Sequence, residues 1–218
     1  MDNLAIKSDV EVVRREERRL YNFLKRLMDV CGALAGLLLA SPILLIVGIL
    51  IKLESKGPII FSQDRVGLNG KIFKMYKLRS MVVNAEELKK KLEAQNEMSG
   101  PMFKIKDDPR ITKVGKFIRK TSIDELAQLV NVLKGNMSLV GPRPSLPKEV
   151  EQFEDWMLER LDVKPGLTCY WQVMGRNNIE FNEWMELDVK YVRERSLWLD
   201  IKLIFKTFFV LFGDKNAY

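Results

Sequence analysis

Two adjacent carboxylates, Asp124 and Glu125, stand within residues 119–144, with Arg119 before them and Arg143 after them. The chain has no histidine, so any nucleophile, general base or metal ligand must come from Asp, Glu, Lys, Tyr, Ser or Cys. That removes His-dependent triads and the common zinc sites. Apolar residues at Ile123, Leu126, Leu129, Val130 and Leu133 recur at helical spacing, and Gly135 suits a helix end. The spacing predicts a helix over about 122–134, with Ser122 as N-cap and Glu125 completing a capping box. Asp124 then falls in the first turn, where free N–H groups and the macrodipole favour an ionised carboxylate. Both carboxylates also have plain structural readings, since acidic residues gather in first turns without doing chemistry. Lys113, Lys116, Arg119 and Lys120 precede the helix, and together with its N-terminus they suit a pyrophosphate.

The elements that must position these groups read as follows. Residues 59–61 and 71–76 flank Asn69-Gly70, a hairpin turn signal. Lys77 and Arg79 follow at alternate positions, so both can face one side of an extended chain as a phosphate grip or as a solvated face. Residues 84–98 read as a polar helix after an Asn cap, and residues 102–114 as extended chain broken by a turn at Asp107-Asp108-Pro109. Gly141-Pro142-Arg143-Pro144 is a loop with little freedom. Residues 146–161 read as a helix with an apolar stripe of Phe153, Trp156, Met157 and Leu161, and residues 164–168 as a turn. Residues 171–176 end at Arg176, a candidate anion-binding group, and residues 183–195 form another helix.

Lys and Arg total 36 against 29 Asp and Glu, a formal net charge of +7, which suits an anionic partner. Cys31 and Cys169 form neither a metal-ligand spacing nor a disulfide framework. Residues 1–22 are a charged arm or helix. Residues 30–51 carry no charge and, as a helix, reach roughly 33 Å, enough to cross a bilayer. Lys25 and Arg26 flank one end, Lys52 and Lys56 the other, so both ends have a claim on the cytoplasm. Ser41-Pro42 in mid-run predicts a kink, so the segment reads either as a kinked spanning helix, which hydropathy alone favours, or as one that enters and returns on the same face. Asp29 and Glu54 border the run and belong at headgroup depth. Residues 197–212 are apolar with Lys202 and Lys206 four apart, a helix lying in the interface with its lysines snorkelling.

Beyond about Tyr21 the chain resembles the bacterial sugar transferases, the monotopic phosphoglycosyl transferases. The resemblance rests on many blocks in one order, among them residues 25–29, 57–61, 65–67, 73–81, 137–144, 164–166, 171–173, 175–176 and 196–200, with the Asp124-Glu125 segment at its centre. It implies an α+β fold, mainly α. A re-entrant membrane helix over 23–56, broken at Ser41-Pro42, would lead into a cytoplasmic-face catalytic domain over 57–218, with a β-hairpin and interfacial amphipathic helices. It also implies transfer of a sugar 1-phosphate from a UDP-sugar, such as UDP-glucose or UDP-galactose, to polyprenyl (undecaprenyl) phosphate with release of UMP. Asp124 would be the nucleophile, with Glu125 helping to hold Mg²⁺ beside it. Lys77, Arg79, Arg119, Arg143 and Arg176 would contact phosphate. The location implied is the bacterial cytoplasmic (inner) membrane, on its cytoplasmic face, among membrane lipids, in the family's minimal catalytic form. Ala127 stands where that family often has proline, Asn136 where it often has Asp, and Cys169-Tyr170 where it has small or aliphatic residues. Asn136 argues against a metal ligand there, and the Cys169-Tyr170 loop leaves the sugar open. A homo-oligomer is also left open. The competing readings are a membrane-tethered basic adaptor without catalysis and a nucleic-acid binder. The second has only charge to support it, and no nucleic acid is expected as a partner.

Overall fold

The computed structural model describes residues 2–92, 105, 107–174 and 179–213. Its first element is helix α1, Asp2–Glu54, which continues through the boundary expected near residue 22 and through Pro42. Helical winding carries on past Ser41-Pro42, where the missing proline N–H leaves a point at which the helix can bend. Proline deprives the Leu38 carbonyl of its donor four residues on, and the Ser41 hydroxyl donates to that oxygen at 2.8 Å. Residues 19–54 of α1 are long and apolar enough to cross a membrane.

The expected hairpin follows as β1, Ile60–Val66, and β2, Ile72–Leu78, paired antiparallel with Phe61 opposite Lys77 and Arg65 opposite Phe73. Asn69 and Gly70 both take positive φ, 53° and 75°, and Lys71 N–H donates to the Leu68 carbonyl at 3.2 Å. That is the turn chemistry Asn-Gly favours. Helix α2, Ala85–Leu92, begins where the Asn84 cap predicts, and the rest of the polar helix expected to residue 98 lies outside the described residues. The extended stretch before residue 114 ends sooner than expected. Ile111 bridges Met81, Thr112 caps, and helix α3, Lys113–Lys120, starts at once.

The segment around the carboxylates is not one α-helix. Residues Ile123–Gln128 wind as a 3₁₀-helix that hands over to helix α4, Leu129–Lys134, which Gly135 ends at φ 82°. Ser122 is left-handed (φ 55°) and makes no side-chain cap, so the capping box is absent. Two short strands, β3 at Ser138–Val140 and β4 at Gly166–Thr168, pair in parallel. The second lies where the sequence predicts a turn. Gly141 and Gly166 permit their close approach, because a Cβ on Gly166 would lie 2.1 Å from the Gly141 nitrogen.

The helix expected over 146–161 is instead helix α5, Pro147–Val150, followed by a 3₁₀ segment, Asp155–Asp162. Three residues per turn place Met157 and Arg160 on one buried face. The apolar stripe gives way to a register set by Arg160. Helices α6, Tyr170–Met174, α7, Phe181–Glu194, and α8, Leu197–Gly213, complete the described chain. On α8, Trp198, Phe205, Phe208 and Phe209 are exposed together with Lys202 and Lys206.

The two halves of α1 sit on one folded body. Ala33 packs with Met75, Leu129, Val132 and Met137, whereas Val47 and Ile51 pack with Leu78 and Ile118. Polar contacts repeat the pattern. Buried Asp29 accepts from the Ser138 hydroxyl at 2.9 Å and from Leu139 N–H at 3.0 Å, and Arg26 donates to the last carbonyls of α4. At the far end, Glu54 accepts from the first two N–H groups of α3.

Candidate active site

Four of the expected groups converge, carried by three local devices. The 3₁₀ winding of Ile123–Gln128 eclipses residues three apart, so Asp124 and Ala127 are buried together and Glu125 lies above Gln128. Asp124 is only 7 % exposed. Strand alternation points Lys77 across to the carboxylates, with its ammonium 2.9 Å from Glu125 and 3.9 Å from Asp124. Arg143, from the loop after β3, reaches Glu125 at 3.5 Å. Its guanidinium also lies 5.6 Å over the Trp171 ring, which is stacked on Trp184 at 4.6 Å.

The Arg143 loop is held from several sides. Buried Arg160 donates to the Arg143 carbonyl at 2.6 Å and to the Ser145 hydroxyl, and is itself paired with buried Asp188 at 2.6 Å. Arg65 donates to the Pro144 carbonyl at 3.0 Å, and Val66 N–H to the Ser145 carbonyl at 2.9 Å. Burial pushes the Asp124 carboxyl above the ordinary aspartate range. Lys77 opposes that, Glu125 adds to it, and Arg119 and Arg143 pull it back. The direction is the reverse of what a first-turn carboxylate suggested, because loss of water outweighs the helix end.

Arg119 lies exposed in the last turn of α3, close enough for its charge to act on Asp124. Arg79 does not join the cluster. It is buried and donates to the carbonyls of Lys56 at 2.6 Å and Ser55 at 2.8 Å, satisfying the orphan end of α1. Gly57, at φ 122°, makes room for it, since a Cβ there would lie 2.1 Å from the guanidinium. Arg176 lies outside the described residues.

Sequence reasoning missed Arg65, Gln128 and Gln172, which line a small recess with Lys77, Glu125 and Arg143. Burial and the neighbouring Arg143 charge push the Arg65 guanidinium down to about 10, and its Nε is buried without a partner. The signal was available for Arg65. It shares a hairpin face with Lys77 by simple alternation. Among the described residues no group of three or more acidic or thiol side chains gathers to cage a metal. Asp124 and Glu125 instead form a two-carboxylate set beside cations, which fits Mg²⁺ held jointly by one or two carboxylates and a ligand's phosphates.

These features define a membrane-associated α+β protein with a buried carboxylate under a cationic rim. The model of the family described as bacterial sugar transferase matches residues 20–214, and the chain belongs to that family. It is 54% identical over 194 residues to a protein named galactosyl transferase CpsE from Streptococcus agalactiae serotype III, covering 88% of this chain and 43% of that one. It is 44% identical over 205 residues to the undecaprenyl-phosphate galactose phosphotransferase of Salmonella typhimurium, covering 92% and 43%. With the exopolysaccharide production protein ExoY of Rhizobium meliloti the identity is 36% over 199 residues, covering 89% and 88%. The chain thus spans less than half the length of the first two relatives and most of the third.

Proposed function

We propose that this chain transfers a sugar 1-phosphate from a UDP-sugar to polyprenyl phosphate, undecaprenyl phosphate in bacteria, with release of UMP. The observation that carries the reading is Asp124, a buried carboxylate 3.9 Å from the Lys77 ammonium and next to Glu125, which is itself paired with Lys77 and Arg143. A carboxylate can serve as the nucleophile of a two-step transfer. An Asp124 oxygen attacks the β-phosphorus. The bond from that phosphorus to the bridging oxygen breaks, and UMP leaves with the oxygen and its electron pair. The sugar phosphate remains on the enzyme as an acyl phosphate. A phosphate oxygen of the carrier then attacks the same phosphorus and frees the Asp124 carboxylate, giving polyprenyl diphosphate-sugar.

Lys77, Arg143, Arg119 and Arg65 would meet the negative charge of the diphosphate, with the guanidinium groups offering planar forks to its oxygens. Arg176 belongs to this set by family resemblance. Mg²⁺ held by Asp124 and Glu125 together with diphosphate oxygens would supply charge neutralisation. A UDP-hexose is the expected donor, and galactose figures in the names of two relatives above.

The site belongs on the cytoplasmic face of the bacterial inner membrane, with α1 entering the bilayer, bending at Ser41-Pro42 and returning to the same face. Support comes from the seating of both its halves on one folded body. The aromatic and lysine face of α8 suits the interface beside it.

The test is UMP release by detergent-solubilised protein given Mg²⁺, undecaprenyl phosphate and a set of UDP-sugars. One sugar should give release, and with the carrier omitted its phosphate should stay on the protein. Asp124→Asn should abolish both. Turnover retained in that variant would overturn the assignment of the nucleophile.

A further inference from the structure

A cavity of about 440 Å³ opens between α1, the hairpin and the carboxylate segment, within the roughly 300–1,000 Å³ of small-molecule pockets. Its walls are Leu44 and Gly48 of α1, Ile59 and Leu78 at the hairpin, and Ala127 and Val130 beyond the carboxylates. Lys52 supplies the one charged side chain among the described lining residues. A sugar or nucleotide placed here would leave its hydroxyls without partners, at a cost that excludes it. The occupant is hydrocarbon.

Which hydrocarbon follows from the two ends. At one end Leu45, Ile49 and Leu53 line the cavity and are also exposed, so it opens onto the apolar face that α1 turns to lipid. At the other, Ala127 is buried one 3₁₀ turn past Asp124. Lys52, exposed at the rim, complements a single anionic headgroup. A chain lying here runs from the bilayer to the segment that carries the carboxylate.

Resting on the function proposed above, we infer that this cavity holds the isoprene units of the carrier nearest its phosphate, with Lys52 drawing the anionic carrier in at the rim, while the rest of the tail stays in lipid. Its size admits a few isoprene units and not a whole polyprenyl chain. The cavity thereby steers the second half of the reaction, delivering the carrier phosphate beside Asp124.

The experiment compares wild type with Gly48→Leu and Val130→Phe, which fill the cavity. A Cβ on Gly48 meets only Ile59, at 3.5 Å, so that position tolerates a side chain and directs it into the space. UMP released in a single turnover without carrier counts the competent sites, and full turnover against undecaprenyl phosphate is normalised to that count. Both variants should raise the carrier KM by about tenfold or more, roughly what excluding two buried methylenes implies. Lys52→Gln, at an exposed position, should raise it severalfold and carries the test if the filled variants do not accumulate. A carrier KM within about twofold of wild type in these variants would assign the cavity to an ordinary lipid acyl chain and overturn the inference. Absence of any carrier-free UMP release from wild type would instead defeat the reading of the function itself.

Discussion

For the transfer proposed above Asp124 must be a carboxylate to attack phosphorus, and every charged neighbour bears on whether it is one. Burial raises its pKa, Lys77 is the strongest opposing influence, and Glu125 adds to the rise. Because the reactive form is deprotonated, activity is lost as pH falls through that pKa. Lys77→Met should therefore move the acid limb of the UMP-release profile to higher pH. Glu125→Gln should move it lower, since it removes a like charge and leaves Lys77 to Asp124 alone. Profiles that coincide with wild type in both variants would show that the limb belongs to another group. Arg79 turns away from the cluster for a physical reason. Alternation fixes a face only within a strand, and Arg79 lies beyond the end of β2, where the carbonyls closing α1 capture it.

At the scale of elements, the hairpin was legible because Asn69-Gly70 names its turn, and α7 and α8 because their periodicity is long. The 3₁₀ segments were not. Apolar spacing does not separate three residues per turn from 3.6 over six or eight residues, and the left-handed Ser122 leaves no mark in composition. Strands β3 and β4 are three residues each, too short to show a period, and what forms them is backbone contact between Gly141 and Gly166. Gly166→Ala should force that contact apart, costing about 1–3 kcal/mol and displacing the Arg143 loop. A denaturant midpoint and carrier turnover both equal to wild type would disprove it. Arg160 ties the same loop to α7 through Asp188, with the two side chains 1 % and 0 % exposed. Arg160→Met strands a buried carboxylate and should cost roughly 3–5 kcal/mol in a denaturant titration. Adding Asp188→Leu should recover most of that loss, and failure to recover would mean that Arg160 acts by packing and not by charge.

For the whole molecule, the question is how one apolar helix meets both a bilayer and a folded body. Between Arg26 and Glu54 lie roughly 42 Å of helix, more than the roughly 30 Å hydrocarbon core. A helix that crossed would carry its two ends to opposite faces, yet Arg26 and Asp29 at one end and Ile51 and Glu54 at the other are bound to the same body. Hydropathy alone favoured a plain span; only the tertiary contacts tell against it, which is why composition could not decide. The flanking charges agree, with Lys25 and Arg26 at one end and Lys52 and Lys56 at the other. Cysteines at Leu20 and Lys56, both exposed, placed singly in a Cys31→Ser background, test the topology directly. Cys169 is fully buried and stays silent. In sealed vesicles a membrane-impermeant maleimide should reach Leu20→Cys and Lys56→Cys from the same side, while Ile46→Cys, bare in the structure, is shielded by lipid. Labelling of the two ends from opposite sides would make α1 a simple span and would require the folded body to let go of one of them.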